Sequence, residues 1–385
     1  MGRVNRIGWL AVVMGAVACG SGEDQDTAVQ LGTEPLVLPD DPAEKGVPVG
    51  VRTEVWDGLT VEVWYPASDT TTGETDSVDF SQWVPTSVAA LLGDVEVPLI
   101  ATDAVRDAPA RRAEEPFPVV FFSHGLGGTR MQSTDLTVHL ASRGYVVVAS
   151  DHAGRSFPDL LPCLFTPPAE GCDLAGLLGE DPGTGDASAV ADYLPTAASE
   201  GFLADRIDPA RLGIFGHSAG GGTTSSILST DPRFLAGIPM AGADAIDGDA
   251  AVLVLAGSCD ATVPLSAIAA AADATPQATL VTIEGAGHLA FSDLCELEFG
   301  DLYDNYLAER EDLNAFFADT LLALGTDGCP GYNPPQPECG SAWLDLGVSD
   351  PISRHYVTVF FDKELKGLGD GAQDGVFPEV VLSAR

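Results

Sequence analysis

Basic residues are scarce in this chain, and their scarcity excludes one large class of partners. The 385 residues include 18 Lys and Arg against 57 Asp and Glu, a formal net charge of −39 at pH 7. Nucleic-acid-binding proteins neutralise phosphates with Lys and Arg and release counterions, so this chain does not bind nucleic acid by that route. The same charge favours solubility and repels anionic membranes and anionic substrates.

Long apolar runs are also missing near the start of the chain, which excludes a membrane span there. Residues 1–18 hold two arginines and then the apolar run Ile7–Val13, which is too short to cross a bilayer. Small residues follow, so residues 1–18 are predicted to be the signal peptide of an exported protein. The small residues before Cys19 resemble a bacterial lipobox, which predicts lipidation and membrane anchoring through Cys19. The alternative is cleavage near Ala18 and secretion.

The remaining chain is predicted to contain one tether and one domain. Residues 19–48 are rich in acidic residues, Pro and Gly, which is typical of a flexible tether. Residues 49–385 are predicted to form a single folded domain, since α/β domains routinely exceed 250 residues.

The cysteines lack the spacing of a metal site, because no C-x-x-C pattern or neighbouring histidine accompanies them. Apart from Cys19 there are six, an even number that is typical of disulfides in an exported protein. Fifteen pairings are possible, and the sequence leaves the choice open. Short loops favour the pairs Cys163–Cys172 and Cys329–Cys339, which leaves Cys259–Cys295.

The most informative motif is the G-x-S-x-G pentapeptide Gly216–Gly220. It follows an apolar run that predicts a buried strand, and it precedes small residues that predict a closely packed helix. Glycines allow the sharp turn between the two, which presents the hydroxyl of Ser218 beside the first N–H groups of the helix. The motif predicts a serine nucleophile.

A serine nucleophile needs a histidine base, and this motif is followed along the chain first by an acid and then by the histidine. Of six histidines in the chain, two come after Ser218. His288 directly follows the strand-like run Ala278–Ile283, which places it on a loop at the carboxyl end of a strand. His355 lies among apolar residues spaced four apart, which predicts a helix surface. His288 is therefore the predicted base.

The acid is predicted by the same positional argument. The apolar run Val252–Ala256 is typical of a central parallel strand, and Asp260 follows it closely. Asp260 is therefore the predicted acid. Three other aspartates follow the preceding apolar run and stay as alternatives: Asp244, Asp247 and Asp249.

An ester-cleaving serine also needs N–H donors for the oxyanion of the tetrahedral intermediate. The strand-like run Phe117–Phe122 ends in Ser123–Gly128, whose glycines allow the backbone to turn an N–H toward the nucleophile. The backbone N–H groups of Leu126 and Ala219 are the predicted donors.

These motifs together resemble the platelet-activating-factor acetylhydrolase group of α/β-hydrolases. The likeness is carried by residues 122–128, 140–149, 208–221 and 285–288, and it extends from about Arg52 to Phe361. Bacterial cutinase-like polyester hydrolases and dienelactone hydrolases are similar relatives, although the latter use a cysteine where this chain has Ser218. The resemblance implies the α/β-hydrolase fold, with a mostly parallel sheet flanked by helices. It also implies a serine hydrolase of carboxylic esters without cofactor or metal, in which Ser218, Asp260 and His288 form the triad.

Two insertions are expected to shape the cleft, since loops at the carboxyl edge of such a sheet form it. Residues 154–185 hold apolar side chains among prolines and are interpreted as a lid or an acyl-binding wall. In residues 293–350, helical spacing of aromatic and aliphatic residues predicts core packing.

The predicted function is hydrolysis of short-chain or phospholipid-type acyl esters. A polyester or cutin hydrolase is the alternative within the same chemistry. A non-catalytic surface lipoprotein that keeps the fold is the alternative of another class.

Overall fold

A ten-stranded mixed sheet forms the centre of the protein. The computed structural model describes residues 33–84, 99–160, 181–297 and 343–384. The strand order across the sheet is β12-β11-β10-β9-β8-β6-β7-β2-β1-β5, with β3 and β4 pairing separately. The strands are β1 Val49–Trp56, β2 Leu59–Pro66, β3 Ser77–Asp79, β4 Leu99–Ala101, β5 Ala104–Arg106, β6 Phe117–Ser123, β7 Val146–Ser150, β8 Ile207–His217, β9 Phe234–Met240, β10 Ala251–Gly257, β11 Thr279–Ile283 and β12 Val380–Ala384.

The six strands from β11 to β7 in this order run parallel to one another. Antiparallel pairings add β12 beside β11 and β2 beside β7. Every residue of β6 and β7 is buried, as expected for parallel strands that are covered on both faces. The carboxyl ends of β6, β8, β10 and β11 therefore meet at one edge of the sheet.

Helices cover both faces of the sheet and produce two hydrophobic cores. One core includes apolar residues of α1 and α5, and the other includes residues of α2, α3 and α4. The result is a three-layer α/β/α arrangement, as the sequence predicts. The helices are α1 Thr134–Ser142, α2 Pro182–Ser199, α3 Ala219–Thr230, α4 Leu265–Ala274 and α5 Leu346–Lys366. Among the residues that the structure describes, no helix is long and apolar enough to span a membrane.

Part of the segment predicted as a tether packs against the domain. From residue 33 onward the chain belongs to the same compact unit as the sheet. Arg143 donates hydrogen bonds to the carbonyl oxygens of Pro39 and Asp41, and the buried Arg111 donates one to that of Pro35. Buried guanidinium groups need acceptors, and these backbone carbonyls supply them. Residues 1–32 lie outside the described part of the chain.

Parts of both predicted insertions also lie outside the described residues. Residues 161–180 and 298–342 are not described, so the predicted lid and the predicted aromatic helix stay predictions. The same holds for the pairs Cys163–Cys172 and Cys329–Cys339. The described start of the first insertion packs on the sheet edge, where Leu160 lies against Gly127.

Candidate active site

The turn between β8 and α3 holds Ser218 in a backbone conformation that few residues adopt. Its φ is 58° and its ψ is −119°, and it is the N-cap residue of α3. Such a conformation costs on the order of 1–3 kcal/mol and persists only where the surroundings enforce it. The end of β9 contributes to this, because the carbonyl oxygen of Met240 accepts a 2.8 Å hydrogen bond from the N–H of Ser218.

Glycines around this turn are required by close backbone contacts. A Cβ at Gly220 would overlap the carbonyl oxygen of Ser123, and one at Gly221 would overlap that of Gly242. The beginning of α3 thus packs directly on the backbone of β6 and on the loop after β9. This packing fixes the position of Ser218, which is partly exposed at the edge of the sheet.

The structure brings Ser218, His288 and Asp260 together in one hydrogen-bonded line. His288 Nε2 lies 2.9 Å from Ser218 Oγ, and His288 Nδ1 lies 2.8 Å from Asp260 Oδ2. Asp260 is fully buried, and its Oδ1 accepts hydrogen bonds from the N–H groups of Thr262 and Val263. A carboxylate that only accepts requires the proton of His288 to be on Nδ1, which leaves Nε2 free to accept the serine proton.

The loops that carry the acid and the histidine are bonded to each other. Ser258 N–H donates to Ile283 O at 3.0 Å, Cys259 N–H to Ala286 O at 2.9 Å, and Gly285 N–H to Ser258 Oγ at 2.9 Å. A Cys259–Cys295 disulfide would connect the same two loops, and that pairing stays a prediction. The hydroxyl of Ser258 contributes to the contact between the loops without having been predicted.

The predicted oxyanion donors belong to the two segments next to Ser218. Ala219 is the first residue of α3, and Leu126 follows Gly125, whose Cα faces the Cβ of Ser218. Within the described residues, neither the N–H of Leu126 nor that of Ala219 donates to a protein acceptor. An unpaired N–H group at a helix start, as at Ala219, favours bound negative charge.

A buried polar cluster supports the oxyanion loop from behind. The ring of His124 donates from Nδ1 to Gly125 O at 2.7 Å and accepts the N–H of His152 on Nε2 at 3.0 Å. Burial, together with His152 and Arg155, holds the pKa of His124 well below its usual range, so the ring is neutral. Arg155 donates to the carbonyl oxygen of His124 at 3.1 Å.

The same cluster contains a second Ser–His–Asp line. His152 lies 2.9 Å from Ser123 Oγ and 2.7 Å from Asp186 Oδ2. Burial lowers the pKa of His152 to about 3 and raises that of Asp186 to about 6. Ser123 and His152 are both fully buried, so no ester reaches this hydroxyl, whereas Ser218 is partly exposed.

The alternative residues from the sequence lie elsewhere. His355 is on α5, as predicted, and packs against Tyr356 and Phe377. Asp244 follows β9, where its N–H donates to Ser225 Oγ on α3. Asp247 and Asp249 lie further along the same segment between β9 and β10.

Two residues that contact the site, Gln132 and His217, were not predicted from the sequence. His217 is buried beside His288, with ring centroids 4.8 Å apart, and its Nε2 lies 2.7 Å from His288 O. Burial and the proximity of His288 lower the pKa of His217 to about 3. Its place inside the pentapeptide was a signal for it, whereas Gln132 has no motif of its own.

A comparison with solved structures decides the fold. A ferulic acid esterase from Streptomyces cinnamoneus superposes with a TM-score of 0.54, covering 91% of this chain and 99% of that chain at 22% identity. The chain has the α/β-hydrolase fold. The fold class predicted from the sequence is thereby confirmed.

Family models match two parts of the chain and confirm the resemblance predicted from the sequence. The model described as platelet-activating factor acetylhydrolase, isoform II, matches residues 53–158, and the one described as TAP-like protein matches residues 236–309. The first contains the predicted oxyanion loop, and the second contains Asp260 and His288.

Curated relatives match over less than half of their length. The platelet-activating factor acetylhydrolase of Cavia porcellus is 27% identical over 208 residues, which are 46% of this chain and 45% of that protein. A cutinase of Thermobifida alba is 30% identical over 129 residues, which are 34% of this chain and 36% of the cutinase.

Proposed function

We propose that the protein is a serine hydrolase of carboxylic esters that forms an acyl-enzyme on Ser218. The observation that carries this proposal is the line from Ser218 through His288 to Asp260, with bonds of 2.9 Å and 2.8 Å. The esterases among the similar proteins support the same chemistry.

In the proposed reaction, Ser218 Oγ attacks the ester carbonyl carbon while His288 Nε2 takes the hydroxyl proton. The carbonyl π electrons move onto the oxygen, which the N–H groups of Leu126 and Ala219 stabilise. The oxyanion then collapses, the bond to the leaving alkoxide breaks, and the alkoxide takes the proton from His288. Water repeats the same steps on the acyl-enzyme and restores Ser218.

The proposed substrates are short-chain or phospholipid-type acyl esters. Similarity to platelet-activating factor acetylhydrolases supports this class. A polyester or cutin hydrolase is the second candidate, and the cutinase relative favours it. The surplus of acidic residues favours esters without negative charge near the scissile bond.

The test is hydrolysis of p-nitrophenyl esters of increasing chain length, with an oxidised phospholipid and a polyester film in parallel. We expect turnover by the wild type and loss of about 10⁶-fold in kcat for Ser218→Ala. A wild type that hydrolyses none of these esters would instead support the non-catalytic lipoprotein.

Covalent labelling separates the two Ser–His–Asp lines of the structure. A fluorophosphonate probe is expected to label the wild type and Ser123→Ala, but not Ser218→Ala. Ser123 is the matched control because it also contacts a histidine that contacts an aspartate, but it is fully buried. Label that persists in Ser218→Ala and disappears in Ser123→Ala would contradict the assignment.

We also propose that the protein is exported and anchored through a lipidated Cys19. This rests on the sequence of residues 1–19. We expect Cys19→Ser to move the protein from the membrane fraction to the soluble fraction. An unchanged distribution would contradict the anchor.

A further inference from the structure

Two side chains form a continuous hydrogen-bonded bridge between the oxyanion loop and the loop of His288. Gly125 N–H donates to Gln132 Oε1 at 2.8 Å, and Gln132 Nε2 lies 2.7 Å from His217 Nδ1. His217 Nε2 then lies 2.7 Å from the carbonyl oxygen of His288. All three bonds are buried.

The two ends of this bridge are backbone groups, one of which can only donate and the other only accept a hydrogen bond. They therefore fix which atoms of Gln132 and His217 carry the protons. The carbonyl oxygen of His288 only accepts, so His217 carries its proton on Nε2. A neutral imidazole then has a lone pair on Nδ1, which faces the NH₂ group of Gln132. The N–H of Gly125 only donates, so the amide oxygen of Gln132 faces Gly125. One amide orientation and one histidine tautomer satisfy both ends.

Residues next to Gln132 add further bonds to the loop of His288. The N–H of Asp293 donates to the carbonyl oxygen of Gln132 at 3.0 Å. The hydroxyl of Ser133 donates to the carbonyl oxygen of Phe291 at 3.0 Å, and Asp293 Oδ2 accepts the N–H of Asp135 at 3.1 Å. The turn before α1 therefore contacts the His288 loop through main chain and side chains together.

We propose that Gln132 and His217 are positioning residues that hold the oxyanion loop and the backbone of His288 at a fixed separation during ester hydrolysis. This inference rests on the proposed function. Catalysis needs the base and the oxyanion donors on the same reacting carbonyl, and a misplacement of about 1 Å lowers the rate by about a hundredfold. The bridge connects the segment that carries Leu126 to the residue that moves the proton.

The test is a double-mutant cycle with Gln132→Met and His217→Met, which remove the bonds and keep apolar volume. We expect each single variant to lower kcat for p-nitrophenyl acetate by about tenfold to a hundredfold, with KM changed by less than about threefold. Because the bonds act in series, the double variant should be no slower than the slower single variant.

The matched control is His139→Met. His139 is also fully buried, and its Nε2 lies 2.8 Å from the hydroxyl of Thr358, on α5. This variant is expected to lower the unfolding temperature as much as His217→Met does while leaving kcat unchanged. If His139→Met lowers kcat equally, the losses reflect general destabilisation, and the positioning role is overturned.

The tautomer of His217 is read independently of activity by ¹⁵N NMR of the wild type and of Gln132→Met. We expect a protonated Nε2 and an unprotonated Nδ1 in the wild type, with the Nδ1 signal shifted in the variant. A protonated Nδ1 in the wild type would overturn the bridge. Multiplicative kcat losses in active variants would overturn the positioning role alone, whereas an inactive wild type would overturn the proposed function and this role with it.

Discussion

At the scale of single residues, Asp260 controls the protonation of its histidine. Its Oδ1 accepts two backbone N–H groups, and its Oδ2 faces His288 Nδ1. Each oxygen therefore has one role. Rotation of the carboxylate would exchange two equivalent oxygens and change nothing. Replacement of one oxygen by NH₂ would place a donor where an acceptor is needed.

Asp260→Asn is expected to lower kcat by about 10⁴-fold with little loss of stability. The amide oxygen would face the two N–H donors, which leaves its NH₂ group toward Nδ1 of His288. The histidine proton would then move to Nε2, and Ser218 would lose its acceptor. The measurement is kcat on p-nitrophenyl acetate.

Asp244→Asn is the matched control, because Asp244 was the alternative acid from the sequence and its N–H bonds to Ser225 instead. It should retain wild-type kcat. Loss of activity in Asp244→Asn with activity kept in Asp260→Asn would show that the acid is misassigned.

The three residues that the sequence predicted for the site meet in the structure, whereas the groups that support them were not predicted. Ser218, Asp260 and His288 each follow an apolar run, and parallel strands bring such positions to one edge. Gln132 and Ser258 follow no such rule, because their partners are backbone groups distant in sequence. Side-chain bonds to backbone depend on the loop geometry, which the residue pattern does not encode.

At the scale of elements, the beginning of α3 has one glycine with no space for a side chain and a neighbouring glycine with space for one. A Cβ at Gly221 would overlap the carbonyl oxygen of Gly242, whereas one at Gly222 would lie 3.5 Å from a carboxylate oxygen of Asp244. The two glycines are adjacent in the same helix. Alanine substitutions at the two positions therefore distinguish the effect of close packing from the effect of helix propensity.

Gly221→Ala is expected to destabilise the protein by about 3 kcal/mol and to lower kcat, because α3 must move away from the loop after β9 and carry Ser218 with it. Gly222→Ala should instead stabilise the helix by up to about 1 kcal/mol and keep kcat. Denaturant unfolding and kcat measure both effects. Equal behaviour of the two variants would contradict the packing argument.

The sequence also predicted several of the elements but not the packing of the segment before β1. Apolar runs identified β6, β8, β10 and β11, and periodicity identified α5. The acidic, Pro-containing segment before β1 has the composition of a tether, yet from residue 33 its carbonyl oxygens accept hydrogen bonds from Arg111 and Arg143. Composition does not reveal such tertiary contacts.

At the scale of the whole molecule, buried titratable groups act on stability in opposite directions. Burial lowers the pKa of His139, His152 and His217 to about 3, so these neutral rings favour folding above pH 6.5 and lose that contribution as the pH falls toward 3. Burial and the charge of Asp135 raise the pKa of Asp350 to about 7. Its contribution is present below its ordinary pKa and is lost as the pH rises through 7.

Asp350→Asn is therefore expected to stabilise the protein by about 1 kcal/mol near pH 8, since the partly exposed carboxylate is screened by solvent. The advantage should shrink as the pH falls from 7 toward about 4, where the unfolded wild type holds the proton as the folded protein does. Denaturant unfolding at several pH values measures it. Asp374→Asn, at an exposed position, removes the same charge and should show no such trend.

The turn at Ser218 is expected to reach its native conformation late in folding. Its strained backbone is enforced by β6, by the end of β9 and by the loop that follows, none of which is adjacent in sequence. In a folding intermediate that has helices and hairpins but lacks the assembled central strands, nothing holds Ser218 in this conformation. During refolding, the return of esterase activity should therefore lag behind circular dichroism and mark the moment when the central strands are assembled.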